Sequence, residues 1–178
     1  ERLLSENKLG ALALIRNLRN FIQNGVDEKL VFNALDKMKV ERVLPFRFIT
    51  AARYAPKWEH KLEASMFKCL EGAKKLPGKT VLLIDVSGSM DCPISNKSEL
   101  QRIDAANGLG ILARELCENV SVYTFSNHVK QVAPRRGFAL RDAIYNSQPH
   151  SGTDTNPAIN YINKKEKKVR KKLLLRNP

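Results

Sequence analysis

Apolar residues in the first part of the chain recur with the period of an amphipathic helix. Leu12, Ile15, Leu18 and Ile22 fall on one helical face. Gly25 follows at the point where glycine commonly ends a helix, because it adopts left-handed backbone angles without strain. The pattern therefore predicts one helix that spans these four residues and ends before Gly25.

Three further helices are predicted between residues 27 and 75. Asp27 suits an N-cap, Pro45 the first turn of a helix that ends near Tyr54, and Pro56 the start of the last helix. The apolar stripe of that last helix consists of Trp58, Leu62, Met66, Cys69, Leu70 and Ala73. About four short helices joined by short turns, with no strand pattern, indicate the end of a HEAT-like α-helical repeat array.

The pattern changes after the Pro-Gly pair in the segment Leu76–Lys79, which we take as a domain boundary. The apolar run Val81–Ile84 is typical of a buried parallel strand. Downstream, the pattern predicts a helix over 100–116, a strand over 119–126, an edge strand over 128–133, a helix over 138–146 and a helix begun by Asn156 and Pro157. This order is that of an α/β domain, so we expect helical residues 1–76 and an α/β domain at 80–178.

The first strand leads directly into a group of hard oxygen donors. Asp85, Ser87 and Ser89 are spaced two apart, and Gly88 permits a tight turn between the two serines. Open α/β sheets place their binding sites at such strand ends. A carboxylate and two hydroxyls suit Mg²⁺ or another hard divalent cation. Because one carboxylate leaves most of the cation's charge uncancelled, such a site would attract an acidic group of a protein partner.

The net charge of +13 is unevenly distributed along the chain. Residues 1–79 carry 16 Lys and Arg against 9 Asp and Glu, whereas residues 80–163 carry 7 against 8. The basic tail at 164–178 carries 8 against 1. This distribution fits a helical region that contacts phosphates and a separate module that does not. Charge alone fits a merely soluble basic surface equally well.

The residues give little support to an enzymatic function. Asp85 after a buried strand is also the position of the nucleophile in haloacid dehalogenase phosphatases, which need a second carboxylate two residues later. In this chain Ser87 occupies the position where that second carboxylate would be. No P-loop sequence occurs, and the histidines at 60, 128 and 150 are scattered, although His150 lies beside the loop discussed next.

No apolar segment is long enough to suggest a membrane span. The three cysteines, Cys69, Cys92 and Cys117, are odd in number and lack a metal-binding spacing. They fit structural thiols of a reducing cytosol.

The spacing Asp85-x-Ser87-x-Ser89 resembles the metal-ion-dependent adhesion site of von Willebrand factor A domains, which are Rossmann-like. In that family a threonine from a later loop joins the site. The segment Ser151–Ile159 is similar to that loop, and the resemblance implies Thr153 as the additional ligand, with Thr155 as the alternative.

The helical residues resemble the end of the TROVE module of the Ro ribonucleoprotein family. The matching passages are 8–19 and 44–54, and the junction at 78–90 is also similar. The resemblance implies a cytoplasmic, non-enzymatic protein that binds small structured noncoding RNAs, including Y-type RNAs, and the ends of misfolded RNAs. In that family a ring of helical repeats holds the RNA and the A domain closes the ring.

The candidate RNA-binding residues are basic positions on the predicted helices: Arg16, Arg19, Arg47, Arg53 and Lys57. Arg16, Arg47 and Arg53 rank highest because they lie in the matching passages. The alternative function is a metal-dependent protein-interaction module without specific RNA binding.

Two departures from the Ro family affect these expectations. Only the last part of the helical module is present, so a complete ring is not expected. The family's A domain continues into a strand that ends in an Asp, which completes the metal site from its outer shell. Here the apolar residues Leu173–Leu175 could form that strand, but Arg176 follows where an acidic residue is expected. We therefore expect an incomplete A domain with an exposed sheet edge and weakened metal affinity.

Overall fold

A computed structural model describes residues 2–40, 43–96, 98, 100–166 and 171–176. The chain divides into two compact units, Glu1–Glu71 and Gly72–Pro178. The first unit is helical, and the second is built on a sheet. Among the described residues, no helix has the length and apolar character needed to cross a membrane.

The described part of the helical unit contains more and shorter helices than the sequence pattern predicts. They are α1 (Arg2–Ser5), α2 (Ala11–Arg16), α3 (Leu18–Gln23), α4 (Glu28–Lys37), α5 (Phe46–Tyr54) and α6 (Glu59–Lys68), with a 3-10 turn at Pro56–Trp58 before α6. The last segment of the predicted array is thus confirmed as helical, but its division into four helices is wrong.

The first predicted helix is interrupted at Asn17, which separates α2 from α3. The Asn17 side chain donates a hydrogen bond to the Ala13 carbonyl at 2.8 Å, which competes with the helical backbone pattern. The predicted apolar face is still buried on both sides of the break, at Leu14, Ile15 and Leu18. Gly25 ends α3 with a φ of 64°, as predicted.

The predicted starts of the next helices are confirmed. The Asp27 carboxylate accepts a hydrogen bond from the Lys29 backbone N–H at 2.9 Å and so caps α4. Pro45 directly precedes α5. Pro56 opens the 3-10 turn that leads into α6.

The end of the last helix is earlier than predicted. Trp58, Leu62 and Met66 are almost fully buried, as the apolar stripe indicates. α6 ends at Lys68, however, and Ala73 is exposed outside it. The Pro-Gly pair therefore does not terminate a helix but lies in the first strand, next to an irregularity in its pairing.

The sheet unit has the predicted α/β order. Its elements are β1 (Leu76–Asp85), a 3-10 turn (Gly88–Asp91), α7 (Arg102–Leu116), β2 (Cys117–Phe125), β3 (Val129–Gln131), α8 (Gly137–Tyr145), α9 (Thr155–Lys165) and β4 (Lys171–Leu175). The strand order is β3-β2-β1-β4, with β1 parallel to both neighbours and β2 antiparallel to β3. The predicted edge strand is confirmed as β3.

The central strand β1 is buried, as its apolar run predicts. Val81 and Leu83 pack with Tyr123 and Phe125 of β2, and with Ala158 and Ile162 of α9. This cluster fixes one face of the sheet. The parallel pairing also brings the carboxyl ends of β1 and β2 together, where Asp85 pairs with Phe125.

The predicted basic tail contains regular structure. Residues 164 and 165 finish α9, and residues 171–175 form β4, while residues 167–170 and 177–178 lie outside the described part. Within that part β4 pairs with β1 alone, and Leu173 and Leu174 are 46% and 40% exposed. Within the described residues, β4 is thus an edge strand of the sheet and carries two exposed leucines.

Candidate metal centre and nucleic-acid-binding residues

Asp85 ends β1 as a buried carboxylate. The residue is only 2% exposed, and its Oδ1 accepts a hydrogen bond from the Ser87 backbone N–H at 2.8 Å. Within the described residues, no lysine or arginine forms an ion pair with it. Because a buried charge without an opposite charge is costly, this arrangement suits a bound cation.

The two serines lie side by side after Asp85. Ser87 is buried and Ser89 is exposed, with 3.4 Å between their Oγ atoms. The 3-10 turn at Gly88–Asp91 begins between them. One carboxylate and two adjacent hydroxyls could hold a hard divalent cation such as Mg²⁺. Among the described residues, no group of three or more His, Cys, Asp or Glu side chains is placed to hold a metal, so the hydroxyls would have to contribute to this site.

Backbone hydrogen bonds join this turn to the loop that carries Thr153. The Gly88 N–H donates to the Ser151 carbonyl at 3.1 Å, and the Asp154 N–H donates to the Ser126 carbonyl at 2.8 Å. Thr153 is an exposed residue between these two anchors. The structure thus brings the two predicted loops to the same end of the sheet. Thr155, the alternative ligand, is the first residue of α9.

A buried polar network supports the Thr153 loop. The Ser126 hydroxyl contacts the Gln148 Oε1 and the Pro149 carbonyl, each at 3.1 Å. The Gln148 Nε2 donates to the Thr124 hydroxyl at 3.1 Å. Gly152 packs so tightly that an added Cβ would lie 2.6 Å from the Asn127 Oδ1. Sequence reasoning missed these supporting residues, although polar residues at 124 and 126 interrupt an otherwise apolar strand end.

Asp91 and His150 form a second link between the loops. The Asp91 Oδ2 lies 2.7 Å from the His150 Nδ1, and the His150 Nε2 donates to the Tyr145 carbonyl at 2.9 Å. The rings of Tyr145 and His150 pack edge to face at 4.6 Å. The Asp91 Oδ1 is buried without a hydrogen-bond partner. The sequence prediction gave Asp91 no role, although it extends the two-residue spacing that begins at Asp85, and it favoured a plain loop histidine over a neighbour of the metal for His150.

The predicted RNA-binding residues lie on several helices of the helical unit. Arg16, Arg19 and Arg53 are exposed, and Arg47 is partly buried. The Arg19 guanidinium lies over the Tyr54 ring, 5.7 Å from its centroid. Tyr54 is itself 37% exposed, so this pair presents a cation and an aromatic ring to solvent. The Arg47 guanidinium lies 5.2 Å from the centroid of the neighbouring Phe46 ring.

Lys57 is exposed, but its ammonium group is held in an ion pair. Its Nζ lies 2.7 Å from the Glu28 Oε1, which also accepts a hydrogen bond from the Trp58 indole at 2.9 Å. The Lys57 ammonium and then the Trp58 indole hold the pKa of the Glu28 carboxyl below its usual value. Lys57 therefore ties α4 to the start of α6, and an RNA phosphate would have to compete with Glu28 for it.

A separate cluster of charged side chains surrounds Glu166, which is 7% exposed. Its Oε2 lies 2.5 Å from the Lys79 Nζ, and its Oε1 accepts a hydrogen bond from the Tyr123 hydroxyl at 2.8 Å. The hydrogen bond from Lys79 lowers the pKa of the Glu166 carboxyl against the opposing effect of burial. Burial, followed by the contact with Glu166, raises the pKa of the Tyr123 phenol. Since Lys79 lies near the start of β1, this cluster is remote along the strand from Asp85.

A similarity to a solved protein structure covers most of the chain. No family model and no curated protein sequence matches it. Among solved structures, the crystal structure of the Deinococcus radiodurans Ro (RSR) protein matches with a TM-score of 0.66 and 21% identity, over 93% of this chain and 39% of that one. The likeness confirms the predicted fold class, the end of a helical repeat array followed by part of a Rossmann-like A domain. The chain spans well under half of the length of that Ro structure.

Proposed function

We propose that this chain is part of a Ro-like RNA-binding protein. In this proposal the helical unit contacts small structured noncoding RNA, of the Y type, and misfolded RNA, and the sheet unit carries a divalent-metal site. The observation that carries the proposal is the likeness to a Ro structure over 93% of the chain, which includes both units. The proposed setting is the cytoplasm.

The charge of the helical half supports RNA as the partner. Residues 1–79 carry an excess of seven basic over acidic residues, with 16 Lys and Arg against 9 Asp and Glu. Several of the acidic residues are already in ion pairs with lysines, as Glu28 is with Lys57 and Asp36 with Lys61. Exposed arginines such as Arg16 and Arg19 can contact phosphates, and such contacts dominate the affinity of proteins for nucleic acids.

Arg19 and Tyr54 form the most suitable contact on this unit. An exposed guanidinium can pair with a phosphate, while an exposed ring face can stack on an unpaired base. Their stacking on each other holds both side chains in place before RNA binds, which reduces the entropy lost on binding. We therefore rank Arg19 first among the predicted residues, followed by Arg16, Arg53 and Arg47.

The test is the salt dependence of RNA binding by the whole chain. Fluorescence anisotropy with a labelled Y-type hairpin is measured from low to moderate salt for the wild type, Arg19→Gln and Arg135→Gln. Arg135 is an exposed arginine of the sheet unit, so it is the matched control. Loss of one phosphate contact lowers the slope of log K against log salt by roughly 0.7–0.9. We expect that change for Arg19→Gln only, and equal slopes for both variants would contradict the proposal.

Purification of the chain at low and moderate salt, followed by sequencing of the bound RNA, tests which RNA is recognised. Discrete structured RNAs that survive moderate salt support recognition of shape. Heterogeneous RNA that is lost at moderate salt indicates only nonspecific charge binding. We propose no catalytic role, and expect no turnover of a generic phosphomonoester.

The second candidate function is a metal-dependent protein-interaction module. Its support is the buried Asp85 carboxylate, which lacks a cationic side chain in the described chain, beside two hydroxyls. Where such residues hold a divalent cation, the cation supplies positive charge that an acidic side chain of a partner could meet. A carboxylate peptide that binds only with Mg²⁺ or Mn²⁺ present, while RNA binding is absent, would favour this function over the first.

A further inference from the structure

One carboxylate oxygen beside the proposed metal site has no partner. The Asp91 Oδ1 is buried and receives no hydrogen bond, although the Oδ2 of the same side chain is held by His150. A buried carboxylate oxygen without a donor is costly, so native proteins normally supply a hydrogen bond, a water or an ion. Only one of the two carboxylate oxygens of Asp91 therefore has a hydrogen-bond partner.

Asp91 lies on the side of the 3-10 turn that faces the Thr153 loop. In a 3-10 turn, residues three apart lie on the same side, so Asp91 shares its side with Gly88. Gly88 faces the other loop, because its N–H bonds to the Ser151 carbonyl and a Cβ there would lie 3.4 Å from the His150 carbonyl oxygen. Asp91 thus faces the loop that continues to Thr153.

His150 fixes the orientation of this carboxylate. Since a carbonyl oxygen only accepts, the Nε2 of His150 carries a proton, which it donates to Tyr145. The Nδ1 of the same ring lies 2.7 Å from the Asp91 Oδ2. Because the ring also packs on Tyr145, the Asp91 side chain is held with its Oδ1 on the buried side.

The predicted ligands carry less negative charge than is needed to balance a divalent cation. Asp85 is the only charged residue among the predicted ligands, and Arg176 rather than an acidic residue follows β4. Arg176 comes directly after the register pair of Ile84 with Leu175, at the end of the sheet where Asp85 lies. We infer that Asp91 is the second carboxylate of the divalent-cation site, a positioning residue whose free oxygen is satisfied only when the cation and its ligands are present.

This inference rests on the metal site of the proposed function, and Mn²⁺ is the probe. Free Mn²⁺ is counted by electron paramagnetic resonance in titrations of the whole chain, and melting temperatures are recorded in EDTA. The variants are Asp91→Asn, which keeps an oxygen for His150, and Asp142→Asn, a control that replaces an exposed carboxylate on α8. We expect Asp91→Asn to weaken Mn²⁺ binding by about 10- to 100-fold, the usual effect of losing an outer partner of a metal site.

The two readouts are expected to separate. Asp91→Asn keeps an oxygen for His150 in a side chain of the same size, so its melting temperature in EDTA should equal that of the wild type, while its Mn²⁺ affinity falls. Equal affinities for wild type and Asp91→Asn would overturn the inference, and so would a lower affinity accompanied by a lower metal-free melting temperature, since a purely structural link predicts that pair of results. A wild type that binds no Mn²⁺ would overturn the metal site as well, without affecting the RNA measurements.

Discussion

The buried contact between Lys79 and Glu166 allows a quantitative test of what holds the sheet unit together. The perturbation is Lys79→Met, which keeps the aliphatic part of the side chain and removes its charge. Glu166 then keeps the Tyr123 hydroxyl as a partner but loses its cation. The variant therefore isolates the contribution of one charge beside a carboxylate whose residue is 7% exposed.

The expected cost follows from the burial of the two side chains. Removal of one partner of a fully buried ion pair costs about 3–5 kcal/mol, because the other charge is left uncompensated. The Lys79 side chain is 34% exposed and that of Glu166 is 8% exposed, so water already screens part of the pair. We therefore expect a loss of about 2 kcal/mol at pH 7, which shifts the urea midpoint of the sheet unit by about 1 M.

The pH dependence of this loss has a definite sign. In the wild type, Lys79 lowers the pKa of Glu166, so the stabilisation is present above the unfolded pKa and disappears as pH falls through the folded pKa. In the variant, burial still raises the pKa of Glu166 and the Tyr123 hydroxyl still lowers it, so without Lys79 the pKa lies above its wild-type position. Glu166 then takes up a proton more readily in the folded variant. The difference in unfolding free energy between the two proteins therefore shrinks as the pH falls from 7 towards 4.

The assay is urea unfolding, followed by circular dichroism and by tryptophan fluorescence. Trp58 is the only tryptophan and is buried in the helical unit, so its fluorescence serves as an internal comparison. The control variant is Lys130→Met, since Lys130 is an exposed lysine on β3 and exposed substitutions usually change stability by less than about 0.5 kcal/mol. A Lys79→Met protein as stable as Lys130→Met at pH 7, or a difference that grows towards pH 4, would refute the reasoning.

Three further predictions concern single contacts. Gly152→Ala should cost less than about 1 kcal/mol, because the Asn127 side chain can rotate away, and the loss should vanish in an Asn127→Ala background in a double-mutant cycle. Asp27→Ala should destabilise the helical unit by about 1 kcal/mol, the usual cost of a lost N-cap, as measured by the fluorescence of Trp58 during urea unfolding. Arg176→Asp should strengthen Mn²⁺ binding by roughly 3- to 10-fold, because it exchanges a positive for a negative charge at the end of the sheet where Asp85 lies; unchanged affinity would contradict it.

Apolar patterning predicts the elements of this chain better than their ends. The run Val81–Ile84 predicts a buried central strand because a strand that is covered on both faces is apolar at every position. Apolar spacing does not predict the break at Asn17, because the spacing continues through it while the Asn17 side chain bonds to the Ala13 carbonyl. Likewise, Pro77 and Gly78 are typical of a helix end, but tertiary pairing places them in β1.

In the candidate metal site, too, local sequence predicts some of the residues and not others. The residues with donor oxygens follow the end of a strand, so local sequence is sufficient to predict Asp85, Ser87 and Ser89, and the family resemblance adds Thr153. The residues that hold the two loops together come from distant parts of the chain and pair only after folding, as Asp91 does with His150. No local pattern specifies such a contact, because its partners are 59 positions apart.

The positions of the strands change the interpretation of the basic tail at 164–178. A run of basic residues after Asn163 fits an RNA-binding extension when only charge is considered. The described residues show instead that Glu166 is buried against Tyr123 and that β4 pairs with β1. Deletion of residues 164–178 would remove a strand and a buried carboxylate together with the charge, so weaker RNA binding after deletion would not identify a phosphate contact. Replacement of Lys164 by glutamine removes an exposed charge while β4 stays intact, and it therefore separates the electrostatic contribution of the tail from its part in the fold.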